Sequence, residues 1–128
     1  MKKLFFIALF VSSTLFAQMH WEEDIEDAQE QGCRTNKVVM VMLSRVGCPA
    51  CEYMKGVVFK DKNFTQKFNQ NFIAVYVDVK EDFIPEGMTY FATPTFYFVG
   101  KDDKVLKKIT GAKNAKEFAD ALNGLKRR

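Results

Sequence analysis

Six consecutive apolar residues, Val38-Val39-Met40-Val41-Met42-Leu43, run almost directly into Cys48-Pro49-Ala50-Cys51, and this junction constrains the fold more than any other feature of the chain. A strand that is apolar on every residue must be covered on both faces, so it belongs in the interior of a sheet flanked by helices. The segment from Pro49 to about Gly56 reads as a helix, because proline at the first helical position gives up an amide that would be unpaired anyway.

The chain opens with Met1-Lys2-Lys3 and an apolar stretch from Leu4 to Val11 that continues through Ser12, Ser13 and Thr14 to Ala17. A short basic patch ahead of such a stretch is the layout of a secretory signal peptide, with cleavage expected after Ala17. A membrane span needs about 20 predominantly apolar residues, which this stretch does not reach before the acidic Trp21-Glu22-Glu23-Asp24 segment. No cysteine follows closely, so a lipid anchor is not expected. The expectation is therefore a signal peptide at 1–17, a single domain at 18–128 and a periplasmic location.

Removing 17 of 128 residues leaves 111, enough for one core and too few for two. The net charge of +3 includes Lys2 and Lys3, so the exported chain carries 3 − 2 = +1. That balance gives no electrostatic case for nucleic acid. Lys107-Lys108 and Lys126-Arg127-Arg128 read as a solvated face and a frayed tail.

Trp21, Ile25 and Ala28 recur at helical spacing on a polar segment that ends near Gly32, which predicts a short N-terminal helix. Asp61 opens another, with Phe64 and Phe68 on one face. Phe72 to Val79 reads as a second buried strand, and Lys80 to Thr93 as a connecting loop. Thr95–Val99, the turn at Gly100-Lys101-Asp102-Asp103, and Lys104–Ile109 form a hairpin. Asn114, with Glu117 three residues on, caps a closing helix whose stripe is Phe118, Ala121, Leu122 and Leu125. A strand-helix-strand unit requires a right-handed parallel crossover, and the hairpin adds antiparallel strands. The expected fold is α/β, a mixed central sheet of about four strands with helices on both faces, preceded by an N-terminal helix.

Three cysteines remain after export, where paired thiols usually become structural staples. Cys48 and Cys51 close a loop too small to remove much unfolded-state entropy, so a bond between them makes better sense as chemistry. Cys48 sits where a helix begins, and unpaired amides with the positive end of the helix dipole favour its thiolate. Such settings lower a thiol from about 8.5 to roughly 3.5–7.5. Cys48 is the expected nucleophile, accessible to a partner, and Cys51, one turn on, can close a disulfide with it. Zinc also uses paired cysteines but needs about four ligands, and only Cys33 and His20 are available to join. Neither a metal nor a cofactor is expected.

The strand leading into Cys48-Pro49-Ala50-Cys51, together with Ala92-Thr93-Pro94-Thr95-Phe96 and the Thr110-Gly111-Ala112 step, resembles the thioredoxin superfamily from about Trp21 to Leu125. Cys48-Pro49-Ala50-Cys51-Glu52 with Val58-Phe59-Lys60-Asp61 is similar to exported reductase domains, such as the C-terminal domain of the electron transporter DsbD. The resemblance implies a thioredoxin fold and a thiol:disulfide oxidoreductase of the protein-disulfide reductase type. It implies catalytic Cys48 and Cys51, with Pro49 and Ala50 supporting the motif. It also implies a cis Pro94 facing the disulfide, so that Thr93 and Pro94 bind the substrate chain. Protein disulfides are the implied substrates, with a membrane electron donor or another redox protein restoring the dithiol, and a monomer is expected. Two positions depart from thioredoxins: Gly47 stands where a tryptophan precedes the first cysteine, and Met42 where a buried aspartate helps move protons. Glu52 is a candidate substitute, although a first-turn glutamate is ordinarily a surface carboxylate.

Cys33 reads as a small buried hydrophobe, with a third redox thiol or an intermolecular link as its other uses. His20, near the exported N-terminus, is not expected to act. The thirteen phenylalanines read mainly as core, while Phe83, Met88, Tyr90 and Phe91 in the loop before Pro94 are candidates for an exposed partner-binding patch. The alternative function is a non-enzymatic binding or copper-handling module, since two thiolates suit Cu(I) and Met40, Met42, Met54 and Met88 are conceivable helpers.

Overall fold

The computed structural model describes residues 18–128, so the expected signal peptide lies outside the described residues. In chain order the elements are strand β1 (Trp21–Glu22), helix α1 (Ile25–Thr35), strand β2 (Val38–Ser44), helix α2 (Pro49–Gly56), helix α3 (Lys62–Asn71) and strand β3 (Phe72–Asp78), then strand β4 (Thr95–Val99), strand β5 (Val105–Thr110) and helix α4 (Ala115–Leu122). They build one five-stranded sheet in the order β1-β3-β2-β4-β5. The neighbours β1/β3 and β2/β3 are parallel, and β2/β4 and β4/β5 are antiparallel. Four strands were expected, and the fifth is Trp21–Glu22, which the residue spacing assigned to a helix. Trp21 pairs in register with Ala74 and stacks edge-on against Phe59 and Tyr76. The helix begins instead at Ile25, where the Asp24 carboxylate accepts the Asp27 amide at 2.8 Å. It also outruns Gly32 to Thr35 and is closed by Asn36 in the left-handed region, whose amide donates to the Gly32 carbonyl.

Every residue of β2 is buried, as its composition demands, because the strand separates two cores. Val39, Val41 and Leu43 face one side with Val75, Val77, Tyr97 and, from α1, Ala28. Val38, Met40 and Met42 face the other with both motif cysteines, Phe59, Phe96, Phe98 and, from α4, Phe118. The second core is largely aromatic. Phe118 is fully buried and its ring lies 4.8 Å from that of Phe96, 5.8 Å from Phe59 and from Phe64, and 6.2 Å from Phe98. The pairs with Phe96 and Phe59 are edge-to-face, an arrangement that adds to the burial of each ring.

The helix caps follow the sequence. Asp61 accepts the Phe64 amide and Asn114 accepts the Glu117 amide, at 2.8 and 2.9 Å. The C-terminal basic residues are not a frayed tail, contrary to expectation. The Arg127 guanidinium donates to Gln29 Oε1 and to the Lys37 carbonyl, fastening the end of the chain across α1, and the Arg128 carbonyl accepts the Lys101 amide. Lys107 likewise donates to the Ala121 carbonyl in the last turn of α4 instead of lying free in solvent.

Because Phe118 joins α4 to the rings of Phe59, Phe64, Phe96 and Phe98, Phe118→Ala is expected to cost about 3–5 kcal/mol, measured by denaturant unfolding with the slope unchanged.

Candidate functional site

The buried strand β2 delivers the chain to a bend at Arg45-Val46-Gly47, and helix α2 starts immediately afterwards. Gly47 sits at φ +80°, in the left-handed region that side chains disfavour. The bend therefore favours glycine here over the tryptophan of the thioredoxin pattern. Cys48 then occupies the N-cap position of α2, with Pro49 at the first helical position. Its sulfur does what a serine or aspartate oxygen does at other caps, accepting the Cys51 amide at 3.2 Å.

Cys48 and Cys51 are joined as a disulfide with their Cα atoms 5.2 Å apart. In this closed pair Cys48 is 3 % exposed and Cys51 0 %. Cys48 is buried, contrary to the expectation of an accessible thiol, and the little of the pair that reaches solvent belongs to Cys48. Thr93 comes to the same sulfur from a position 45 residues away in sequence. The Thr93–Pro94 peptide is cis, the Thr93 carbonyl oxygen lies 3.5 Å from Cys48 Sγ, and the Thr93 hydroxyl donates to that sulfur at 3.4 Å. Once the pair is reduced, the Cys51 amide, the Thr93 hydroxyl and the helix dipole favour a negative sulfur, against the Thr93 carbonyl, which favours the neutral thiol.

The loop carrying Thr93 is tied down on both sides. The Pro94 carbonyl accepts the Gly111 amide at 2.8 Å, and Thr95, fully buried, donates its hydroxyl to the Ala92 carbonyl at 2.7 Å. Farther back, the Tyr97 hydroxyl donates to the Thr89 carbonyl at 2.6 Å. Burial pushes the Tyr97 phenol up, but the Thr89 side chain and the Lys108 ammonium over its ring outweigh burial and leave it below the ordinary tyrosine value. The Tyr97 and Gly111 anchors were not identified from sequence. A lone phenol among the phenylalanines of β4 was the available signal, since a buried Tyr hydroxyl usually finds a partner.

The remaining candidates separate clearly. Met42 is fully buried between Tyr76 and Phe96 in the sheet register, and no carboxylate takes its place. Glu52 points outward and pairs with Lys55 at 3.5 Å, so it is a surface carboxylate. Cys33 is exposed, not buried as expected: Ala28 and Gly32 carry the buried face of α1, and Cys33 is turned about 100° from Gly32. Phe83 and Phe91 are exposed, Tyr90 is on the surface, and Met88 packs against the sheet instead. Met40, Met42 and Met54 are core residues, and His20 is paired with Glu22.

A thioredoxin-like domain matches residues 21–126, and the chain belongs to that family. Among solved structures it is similar to a thioredoxin from Thermus thermophilus, with a TM-score of 0.66 and 24% identity over 82% of this chain and 85% of the other. It is also similar to the DsbH oxidoreductase, at a TM-score of 0.64 and 18% identity over 82% of this chain and 83% of that one. The thioredoxin h of poplar gives 0.62 and 23% identity over 84% and 99%. A search of curated proteins gave no match. A thioredoxin-like fold with a Cys48–Cys51 pair at the start of a helix supports thiol–disulfide oxidoreductase activity in general.

Two substitutions test this geometry. Gly47→Trp forces a bulky residue into the left-handed region and is expected to cost about 1–2 kcal/mol of stability in denaturant unfolding. Thr93→Val removes one donor to the sulfur, so alkylation of reduced Cys48 near neutral pH is expected to slow about two- to tenfold relative to wild type.

Proposed function

We propose that the chain is an exported thiol–disulfide oxidoreductase that reduces or isomerises protein disulfides in the periplasm, acting as a monomer and re-reduced by a membrane dithiol donor. The observation that carries the reading is the position of Cys48 Sγ, capping α2 under the Cys51 amide and reached by Thr93. Its likeness to exported reductase domains of the DsbD type rests on the residues around the motif, and export rests on the basic-then-apolar start of the chain.

In the reductive direction the Cys48 thiolate attacks one sulfur of a substrate disulfide. A Cys48–substrate bond forms, the substrate S–S bond breaks, and the second substrate sulfur leaves as a thiolate that takes a proton from solvent. Cys51, after losing its proton, attacks Cys48 Sγ, forming the intramolecular disulfide and expelling the first substrate thiolate. Two electrons have then passed to the substrate, and the membrane dithiol returns two electrons and two protons to Cys48 and Cys51. In this reading Thr93, which touches Cys48 Sγ, and the cis Pro94 after it hold the substrate chain through their backbone. With Met42 in place of a buried acid, the proton on Cys51 leaves without a carboxylate in that position.

Insulin reduction by the wild-type protein, coupled to a small dithiol, is the direct test. Activity is expected in wild type and loss to background in Cys48→Ser; no turnover by either protein would instead favour a binding module. The reduction potential decides direction: a value near about −270 mV agrees with a reductant, and one near about −120 mV would assign an oxidant.

A further inference from the structure

A cavity of about 310 Å³ is walled by residues that include Arg45, Lys80, Tyr90, Phe91 and Thr93. Its lining contains two cationic side chains and no carboxylate. Arg45 belongs to the bend that precedes the motif, and Thr93, which donates to Cys48 Sγ, is also part of the cavity lining. Both cations are exposed, and among the described residues neither forms an ion pair. Of the carboxylates near Lys80 in sequence, Asp78 accepts the Lys80 amide at 2.9 Å and Asp82 accepts the Asp78 amide at 2.8 Å, while Glu81 is exposed and lies outside the cavity lining. Phe91, 88 % exposed, and Tyr90 add apolar surface to the rim.

We propose that this cavity is a specificity site, in which Arg45 and Lys80 select protein disulfides that carry a carboxylate side chain close to the attacked cysteine. The inference rests on the oxidoreductase reading above and adds a substrate class to it. An extended chain advances about 3.3–3.6 Å per residue, so a side chain one to three residues from the bound cysteine reaches the cavity once that cysteine meets Cys48. Two cations with no internal partner attract an acidic group and repel a basic one, and the aromatic rim covers the aliphatic stem of a glutamate. Because both cations are exposed, the attraction weakens with salt.

The test uses three short peptides, each a disulfide-linked dimer through a central cysteine flanked on both sides at the second position by Glu, Gln or Lys. Their reduction by the full dithiol protein is followed as kcat/KM. Wild type is expected to prefer the Glu peptide over the Lys peptide about three- to tenfold near 10 mM salt, falling towards equality near 1 M. The R45Q/K80Q double variant is expected to lose the preference, and the R45K/K80R swap to keep most of it. Equal rates for the Glu and Lys peptides in wild type, a preference for Lys, or a preference that survives in R45Q/K80Q would each overturn the proposal while leaving the oxidoreductase reading intact. Failure to turn over any of the three peptides would overturn both.

Discussion

Where β2 ends and α2 begins, the first amides of the helix have no carbonyl to meet, and one of them is satisfied by sulfur. The Cys51 amide donates to Cys48 Sγ at 3.2 Å, so the residue that caps the helix is also the one proposed to react. Everything else in the molecule serves to hold that sulfur in place. The strand that delivers it is buried on both faces and cannot shift without opening two cores, and helix α2 is pinned by Cys51 and Met54, both fully buried. The bend between them needs the left-handed Gly47, which leaves the outer side of the sulfur without a large neighbour from the preceding residue.

The second constraint is the approach of the Thr93–Pro94 segment. It comes from the start of β4, which lies next to β2 in the sheet, so the register Leu43 with Thr95 sets how near Thr93 stands to Cys48. The 89–95 loop keeps that position through three hydrogen bonds, from Tyr97 to Thr89, from Thr95 to Ala92 and from Gly111 to Pro94. Such bonds are worth about 0.5–1.5 kcal/mol each and offset part of the entropy of ordering the loop, with the burial of Thr95 and Tyr97 in β4 adding to them. The same loop presents Tyr90 and Phe91 to solvent, so a rigid scaffold and an open contact surface come from one segment.

Much of this was legible in the residues because local chemistry writes it locally. The all-apolar run required an interior strand, Asp61 and Asn114 announced their helices, and proline after Cys48 placed the sulfur at a helix start. The features that escaped the sequence depend on partners distant along the chain. Trp21–Glu22 becomes a strand only because β3 offers an edge some fifty residues later, and Arg127 is ordered only because α1 lies beneath it. Cys33 was misplaced for a different reason: the helical phase was readable from Ala28 and Gly32, but burial was assigned from the character of cysteine alone. Thr93 was reached through resemblance, since no local signal brings it to a sulfur 45 residues away.

The ionisation of Cys48 in the reduced protein tests the central claim most directly. Following thiolate absorbance or alkylation rate against pH, with Cys33 replaced by serine to leave the motif thiols alone, is expected to give a midpoint for Cys48 between about 3.5 and 7.5. A midpoint at or above about 8.5, the value of a free thiol, would mean that the helix cap and Thr93 do not favour the charged sulfur, and would contradict its role as the nucleophile.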